Sequence, residues 1–458
     1  MSTEITPENE AVPRAVAEVQ VRQVILASSV GTLFEWYDFY LYGALASFFG
    51  GLFFPKGSET AGVLASLATF GAGFAVRPFG ALVFGRLGDL LGRKYTFLVT
   101  IVIMGLSTSL IGLLPTYETL GIVSPILLVT LRLLQGLALG GEYGGAATYV
   151  AEHSPDDKRG FYTSFIQTTA TIGFFVSLAV ILASRLYFGD AAFKSYGWRA
   201  PFLLSFVLLA VSVYIRTRLQ ESPIFAKLKS QGKLSKSPLK ESFTNPVNLK
   251  YVLIALFGAV AGQGVVWYTG QFYALFFLQN TLHVDFVTSY VLVAVALALG
   301  TPLFVYFGRL SDRVGRKKIM MAGLLLAALT YVPIYMAMRH FANPDLLPKA
   351  DPAQINHVPL VLLLTLQMVY VTMVYGPIAA FLVELFPTKI RYTSMSLPYH
   401  LGNGWFGGFL PFIATSLTVS TGNVYAGLAY PIGVALITFV VGMITIREGK
   451  GHEVRVVD

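Results

Sequence analysis

The sequence has little charge and no cysteine. Only 12% of its 458 residues are Asp, Glu, Lys or Arg, whereas soluble globular domains typically carry about 25%. Because a soluble surface cannot be built from so few charges, the 55% of apolar residues indicates helices that face lipid. We therefore expect an integral membrane protein, and we exclude a nucleic-acid enzyme and a secreted disulfide scaffold.

The missing cysteines also exclude several kinds of chemistry. Without thiols the chain has no disulfides, no thiolate metal sites and no cysteine nucleophile. The six histidines are scattered without metal-ligand spacing, and no glycine-rich loop ends in the Gly-Lys-Ser/Thr of a nucleotide site. We expect no enzymatic activity, no metal and no cofactor, with an ion gradient or downhill flow as the energy source instead of ATP.

Twelve apolar runs, each bounded by glycine, proline or charge, predict membrane-spanning helices of about 20 residues or more. They lie at about 24–49, 61–85, 95–115, 123–150, 161–187, 199–217, 250–279, 286–308, 319–340, 358–383, 393–419 and 424–446. The first run follows a polar, acidic stretch and not a short basic one, so we expect a retained helix and no cleaved signal peptide.

The chain divides into two similar halves. A basic linker at 218–249 separates six spans at 24–217 from six at 250–446, with tails at 1–23 and 447–458. Gly85–Lys94 and Gly308–Lys317, each after the second span of its half, match at seven of ten positions. Because parallel repeats with a site between them characterise one class of transporter, we predict an all-α membrane protein of twelve transmembrane helices in two pseudo-symmetric halves.

The distribution of Lys and Arg predicts the orientation. If both tails are cytoplasmic, the loops on that side hold 25 of the 33 Lys and Arg, the opposite loops hold 6 and the spans hold 2. This bias satisfies the positive-inside rule and predicts a multi-pass protein with both termini in the cytoplasm. It also accounts for the net charge of +9 without a nucleic-acid partner.

Both repeated segments resemble the loop signature G-x-L-x-D-R-x-G-R-K of the major facilitator superfamily. Five further motifs make residues 24–446 similar to its metabolite:proton symporter family: Phe34-Glu35-Trp36-Tyr37-Asp38, Arg77-Pro78-Phe79-Gly80, Arg132-x-x-Gln135-Gly136, Gly140-Gly141-Glu142-Tyr143-Gly144-Gly145 and Glu221-Ser222-Pro223-Ile224-Phe225. The resemblance implies a carrier in the inner (plasma) membrane, which we expect to be a monomer. Cargoes in that family range from di- and tricarboxylates to shikimate-like acids and zwitterionic osmolytes.

Five ionisable residues fall inside the predicted spans, namely Glu35, Asp38, Arg77, Arg132 and Glu142. Charges within a bilayer are costly and usually face a cavity or a partner, so these residues mark a functional interior. We hypothesise that Asp38 accepts the transported proton and that Arg132 lies beside it, a pairing that the resemblance also implies. Glu35, on the same face of the first helix, is a second acid or positions the substrate. The alternative is that all three form static ion pairs.

Arg77 has two interpretations: a salt bridge with Glu142, or a bidentate contact to a substrate carboxylate. The spans of the second half carry no charge, so we expect that half to recognise substrate shape with polar and aromatic groups. The candidate substrate contacts are Arg77, Gln135, Gln167, Gln263, Tyr268, Gln271, Tyr375, Tyr399 and Asn403. Each is also typical of an interhelical hydrogen bond. His400 is interpreted as structural and not as a proton relay.

The repeated loops supply complementary charges on one face of the membrane, and we expect them to hold that face shut until the halves rock apart. The candidate gating residues are Gly85, Asp89, Arg93, Glu152 and Arg159 in the first half, and Gly308, Asp312, Arg316, Glu384 and Arg391 in the second. The alternative is a purely topological anchor.

Taken together, these patterns predict a proton-coupled symporter that moves a small organic metabolite by alternating access. An anionic or zwitterionic cargo is expected, with a carboxylic acid favoured. Two alternatives remain open: a uniporter or sodium-coupled carrier of a zwitterionic or neutral metabolite, and a membrane sensor that binds its ligand without transporting it.

Overall fold

The computed structural model describes residues 14–55, 57–91, 93–141, 143–218, 244–386, 391–448 and 454–456. The chain folds into twelve long helices within these residues, and several of them are broken into collinear segments. The predicted linker and both tails fall largely outside the described residues, so the domain boundaries stay predictions.

The first six helices occupy the N-terminal half. Their bounds are α1 (Arg14–Ala44 and Ala46–Phe53), α2 (Glu59–Ala75 and Arg77–Leu91), α3 (Arg93–Leu113), α4 (Val123–Gly140 and Tyr143–His153), α5 (Arg159–Phe188) and α6 (Arg199–Arg218). Short helical turns at Tyr117–Leu120, Asp156–Lys158, Asp190–Ala192 and Phe193–Gly197 connect them.

The second six form the C-terminal half. They are α7 (Pro246–Ala255, Ala261–Tyr268 and Ala274–Phe276), α8 (Phe286–Val314), α9 (Arg316–Ala342), α10 (His357–Tyr375 and Ile378–Leu385), α11 (Arg391–Leu401 and Leu410–Thr421) and α12 (Ala429–Thr445, after a turn at Ala426–Leu428). Wider π-helical turns interrupt α7 at Leu256–Val260, Thr269–Tyr273 and Phe277–Thr281, and interrupt α11 at Gly402–Gly407.

Each predicted span overlaps one of these helices. By length and composition alone, eight helices of the described part could cross a membrane, and a ninth, α6 with the turn before it, is bent by 54°. The other three fall short: α3 has an apolar stretch of only Leu98–Leu113, and polar side chains interrupt the apolar runs of α1 (Glu35 and Asp38) and α11 (His400 and Asn403). The fold therefore encloses polar groups in helices whose outer surfaces face lipid.

A short antiparallel hairpin follows α12. It pairs β1 (Ile446–Glu448) with β2 (Val454–Val456). The carboxylate of Glu448 accepts a hydrogen bond of 2.7 Å from the backbone N–H of Lys317 in the first turn of α9. An acidic group at a helix N-terminus satisfies an otherwise unpaired N–H and complements the helix dipole. The hairpin thus fixes the start of the helix that carries Arg316.

Close packing of α2 on α4 positions the buried arginines. A Cβ atom at Gly136 would overlap the carbonyl of Gly73, and one at Gly140 would overlap the carbonyl of Arg77. Small residues four apart let two membrane helices approach until their backbones touch. This backbone contact sets the separation of Arg77 and Arg132.

Replacing Gly136 by valine tests this contact. The added side chain would push α2 from α4, and overpacking against backbone typically costs about 1–3 kcal/mol, so Gly136→Val should lower the unfolding temperature by several degrees. The matched control is Gly433→Val, because no heavy atom lies within 4 Å of a Cβ built there. Equal unfolding temperatures for the two variants in detergent would contradict the packing argument.

Candidate functional site

Aromatic rings join the two halves at mid-height. Tyr40 of α1 lies 5.1 Å from Phe272 and stacks on Trp267 of α7 at 5.4 Å, and Phe174 of α5 stacks on Phe272 at 4.2 Å. Rings of α2 extend the contact, since Phe74 meets Tyr268 edge-on at 5.1 Å. These buried rings exclude water from the centre of the bundle, where polar groups consequently interact strongly.

A chain of hydroxyl and amide groups crosses the same interface. Tyr143 of α4 stacks on Tyr399 of α11 with ring centroids 3.4 Å apart. The hydroxyls of Tyr399 and Tyr375 lie 2.7 Å apart, and Gln167 donates to the Tyr143 hydroxyl at 2.6 Å. The structure therefore brings together three of the predicted substrate contacts, Gln167, Tyr375 and Tyr399, through a tyrosine that sequence reasoning did not select.

The polar residues of α7 point in two directions. Gln263 and Asn403 exchange two hydrogen bonds of 3.0 Å inside the C-terminal half. Gln271, within a π-helical turn, instead donates to the Thr171 hydroxyl of α5 at 3.3 Å. Gln263, Trp267 and Gln271 are spaced by four residues, a spacing that predicts one shared face, but only Trp267 and Gln271 reach the N-terminal half, whereas Gln263 faces α11.

Arg77 is the central charge of this interface. Its side chain is fully buried between the rings of Trp36 and Phe74, at 5.3 and 5.4 Å from their centroids. No described residue gives its guanidinium nitrogens a hydrogen bond of ordinary geometry. Four tyrosines lie close enough to interact with the charge: Tyr40, Tyr143, Tyr268 and Tyr399. Glu142, the partner considered from sequence, lies outside the described residues.

Other buried polar atoms on α5 and α7 also lack partners within the described part of the chain. They are the indole N–H of Trp267 and the amide oxygens of Gln167 and Gln271. Unsatisfied buried groups are rare and call for an explanation. By their chemistry, the donors on Arg77 and Trp267 suit an anion, and the two amide oxygens suit a hydroxyl or ammonium group.

Arg132 does not pair with Asp38, so the predicted pairing is wrong. Its guanidinium donates to the carbonyl of Phe39 at 3.1 Å and to the side chain of Gln135 at 2.7 Å, and it lies over the rings of Phe39 and Tyr42. Successive residues of a helix point about 100° apart. Phe39 and Tyr42 therefore face α4, while Asp38 faces another helix.

Asp38 points to α6. Its carboxylate accepts a hydrogen bond of 2.5 Å from the Ser205 hydroxyl, and only 4% of the residue is exposed. Glu35, also buried, lies one turn away.

Two other residues singled out from the sequence, Gln135 and His400, have contacts of their own. Gln135 accepts a hydrogen bond from Arg132 and donates to Thr108 of α3 at 2.6 Å, so it lies within the N-terminal half and away from the interface. The ring of His400 lies 5.4 Å from that of Tyr399.

An ionic network closes the face of the bundle at which α5 begins and α8 ends, called here the basic face. Asp312 of α8 accepts hydrogen bonds of 2.8 Å from the backbone N–H groups of Gly160 and Phe161 of α5. Arg316 contacts Asp312 at 2.6 Å and Glu384 at 3.0 Å. Arg159 reaches Glu384 across the interface at 3.7 Å.

The close approach at the basic face depends on two small residues. A Cβ atom at Gly160 would stand 2.6 Å from the carbonyl oxygen of Gly308, and one at Gly308 would stand 2.7 Å from that of Gly160. The structure thus brings together five of the ten predicted gating residues. The side chains of the other five, Gly85, Asp89, Arg93, Glu152 and Arg391, lie outside those that the structure describes.

Different contacts close the opposite face, where α1 ends and α8 begins. The Tyr290 hydroxyl donates to the carbonyl of Ala44, and Asn280 donates to the Ser47 hydroxyl at 3.1 Å. Arg185 of α5 lies over the ring of Phe286 of α8 at 4.2 Å. Within the described residues, the two halves are thus in contact at both faces and through the aromatic rings between them.

Sequence reasoning missed the aromatic side of the site and the contacts of the opposite face. Trp36 with Tyr40 and Phe70 with Phe74 are each spaced by four residues, which places each pair on one side of its helix. That spacing was available as a signal, but it is equally typical of any packed helix. Ser205, Thr171 and Asn280 gave no signal, because small polar residues are common in membrane helices.

The fold and its two closed faces can now be set beside known proteins. The family model of the Major Facilitator Superfamily matches residues 29–397. The chain belongs to the major facilitator superfamily. This confirms the predicted family and fold class: an all-α membrane protein of twelve helices in two halves. It also identifies the chain as a membrane transporter and not an enzyme.

Related transporters match over nearly the whole chain. The inner membrane metabolite transport protein YhjE of Escherichia coli is 36% identical, with 94% of each chain covered. The alpha-ketoglutarate permease of the same organism is 33% identical over 93% of this chain and 94% of its own. The glycine betaine/proline/ectoine/pipecolic acid transporter OusA of Dickeya dadantii is 34% identical over 93% and 83%.

Solved structures of the superfamily share the fold. The xylose transporter XylE of Escherichia coli in a partially occluded inward-open conformation superposes with a TM-score of 0.68 at 17% identity, covering 93% of this chain and 96% of its own. The inward-open conformation of the same protein gives 0.60 at 18% identity, covering 92% and 95%.

Removing the Asp312 carboxylate should open the basic face. Asp312→Ala deletes the acceptor of two hydrogen bonds between the halves, and bonds to a charged group contribute about 1.5–3 kcal/mol each. The ratio of closed to open protein should therefore fall by about tenfold or more. Because the chain has no cysteine, spin labels at Tyr95→Cys and Lys318→Cys, both exposed near this face, report the distance without background.

The control for this measurement is Asp345→Ala, an exposed acid near the opposite face. It should leave the distance distribution unchanged. An unaltered distribution in Asp312→Ala, in protein that still unfolds cooperatively, would mean that the network anchors the loops without holding the halves together.

Proposed function

We propose that the protein is a proton-coupled symporter that carries a small carboxylate-bearing metabolite by alternating access. The observation that carries the proposal is the Arg77 guanidinium, fully buried between the halves and without an ordinary hydrogen bond to any described residue. Leaving a buried cation uncompensated is costly. A substrate carboxylate would remove that cost through two parallel charge-assisted hydrogen bonds.

The failure of the Asp38–Arg132 pairing strengthens the case for an anionic group. Asp38 is bonded to Ser205, so it neutralises neither arginine by direct contact. One nitrogen of Arg132 donates to a carbonyl and an amide, and its guanidinium lies over two ring faces, whereas no nitrogen of Arg77 has such a bond with a described residue, so Arg77 is the cation better suited to bind substrate. The cargoes after which the relatives are named fit the same chemistry, since alpha-ketoglutarate, proline, glycine betaine, ectoine and pipecolic acid all bear a carboxylate.

The buried amide oxygens that lack hydrogen-bond donors among the described residues, and the aromatic rings, would contact a second chemical group on the cargo. The amide oxygens of Gln167 and Gln271 would accept hydrogen bonds from a hydroxyl or ammonium group. The stacked rings of Trp36, Tyr40 and Trp267 form an aromatic wall whose surface would also suit an apolar or cationic part. A hydroxy acid or a zwitterion satisfies both sets of contacts better than a neutral sugar.

Asp38 is the residue that we propose as the proton acceptor. It is a buried carboxylate on the helix that also supplies Trp36 and Tyr40 to the interface. The Ser205 hydroxyl can donate to the ionised carboxylate or accept from the protonated one. Rotation of α1 against α6 would change this contact and thereby the proton affinity of Asp38. Glu35 and Arg132 are proposed to adjust the same equilibrium.

Alternating access would proceed through the two closed faces. The basic face is held by ionic contacts, and the opposite face by two hydrogen bonds and a cation–π contact. Opening either face while the other stays shut would expose Arg77 to one side at a time. We infer from the Lys and Arg distribution that the basic face is cytoplasmic and that both termini lie there.

The Arg77 proposal predicts a loss of substrate affinity. A thermal-shift screen of dicarboxylates, hydroxy acids, aromatic acids and betaines at two pH values identifies the cargo. Arg77→Gln should then weaken binding by about tenfold or more, because bonds to charged groups contribute about 1.5–3 kcal/mol each. Arg77→Lys should retain only part of the affinity, since ammonium lacks the planar fork. Lys194→Gln, an exposed cation near the opposite face, is the control. Unchanged affinity in Arg77→Gln would refute the carboxylate site.

The Asp38 proposal predicts uncoupling. In proteoliposomes, Asp38→Asn should abolish accumulation driven by an inward proton gradient yet retain exchange of labelled for unlabelled substrate, because asparagine cannot take up the proton but still accepts the Ser205 bond. Asp345→Asn, at an exposed position, is the control. Gradient-driven uptake by Asp38→Asn would assign Asp38 a static role.

The same assay on the wild-type protein tests the alternative functions. Accumulation that survives collapse of the pH gradient would indicate a sodium-coupled carrier, and binding without flux would indicate a sensor.

A further inference from the structure

A recess lies at the basic face on the seam between α5 and α8. It has a volume of about 470 Å³ and is lined by Asp157, Lys158, Phe161, Tyr162, Arg309, Asp312 and Arg313. Lys158 and the two rings come from the N-terminal half, whereas Arg309, Asp312 and Arg313 come from the C-terminal half. The recess therefore exists in this form only while the two halves are together.

The charge of the recess is unbalanced. Lys158, Arg309 and Arg313 are exposed, and none of them makes an ion pair with a residue of the described part. Of the two acids in the lining, Asp312 is already bonded to two backbone N–H groups and to Arg316. Only Asp157 is left to offset three cations, so the recess attracts an anion.

The position of the two arginines shows which side the anion would come from. Along α8 the exposed residues Val291, Val295, Leu299 and Tyr306 recur at spacings that keep them on the outer face of the helix. Arg309 and Arg313 continue this row by three and four residues, just beyond the predicted end of the span at 308. The same helix face thus passes from apolar side chains to an aromatic ring and then to two cations, which matches the order of acyl chain, interface and headgroup in a lipid leaflet.

We propose that this recess binds the phosphate headgroup of an anionic phospholipid and that the bound lipid stabilises the closed basic face. Lys158, Arg309 and Arg313 would contact the phosphate oxygens, and the acyl chains would lie along the exposed face of α8. Because the cations come from both halves, closure brings like charges together, and a bound anion converts that repulsion into attraction. Opening of the basic face would divide the binding site and release the lipid.

The first test measures lipid retention by native mass spectrometry on the full-length protein extracted from nanodiscs. Phosphatidylglycerol is the anionic probe and phosphatidylcholine the zwitterionic one. We expect wild-type protein to retain phosphatidylglycerol in preference to phosphatidylcholine. Each of Lys158→Gln, Arg309→Gln and Arg313→Gln should lower the affinity for phosphatidylglycerol by about fivefold. The triple variant combines all three substitutions. The control, Lys194→Gln with Lys349→Gln, removes exposed cations near the opposite face and should retain the lipid as wild type does. Equal retention by the triple variant and the control would overturn the site.

The second test measures the labelled distance between Tyr95→Cys and Lys318→Cys in nanodiscs of the two lipids. Phosphatidylglycerol should raise the closed population severalfold in otherwise wild-type protein and leave the triple variant unchanged. A third arm adds inorganic phosphate to phosphatidylcholine nanodiscs. An equal rise with phosphate would reassign the recess to a soluble anion, and no rise in any arm would remove the link to closure. Neither readout needs a transported substrate, so the outcome is independent of the proposed transport function.

Discussion

Burial of two arginine side chains within the membrane is the constraint on which the rest of this structure depends. A guanidinium inside a bundle of apolar helices is tolerated only where ring faces, carbonyls or a bound anion take the place of water. Arg132 has such substitutes, supplied by Phe39, Tyr42 and Gln135. Arg77 has ring faces and tyrosine hydroxyls around it but no carboxylate among the described residues. Arg77 is therefore the buried arginine that the described residues compensate least.

The helix packing serves this constraint. Gly73, Gly136 and Gly140 bring α2 and α4 into backbone contact, which places both arginines towards the interior and away from lipid. The same geometry leaves room on the far side of Arg77 for side chains of α7 and α11, so that rings from both halves enclose it. π-helical turns interrupt both α7 and α11, the helices of the C-terminal half that carry these rings. Such turns occur frequently at functional positions.

The two faces are closed by interactions of different kinds. At the basic face, Asp312, Arg316 and Glu384 form charge-assisted contacts that are strong when dry and weaken once water enters. At the opposite face a hydroxyl, an amide and a ring on Arg185 make fewer and weaker contacts. This difference implies that the two opening steps respond to different influences.

The sequence by itself determined the helix count, the duplication, the family and the short set of charges inside the membrane. These follow from local properties: apolar length, a repeated loop, and the high cost of intramembrane charge. It also placed Asp312, Arg316 and Glu384 in one network, because complementary charges recur at matching points of both halves. Only the tertiary structure decided which charges meet. The rotation of α1 sends Asp38 to Ser205 and not to Arg132, and the stacking of Tyr143 on Tyr399 depends on how two halves dock. Such contacts depend on helix rotation and separation, which packing across the whole bundle fixes and no single segment encodes.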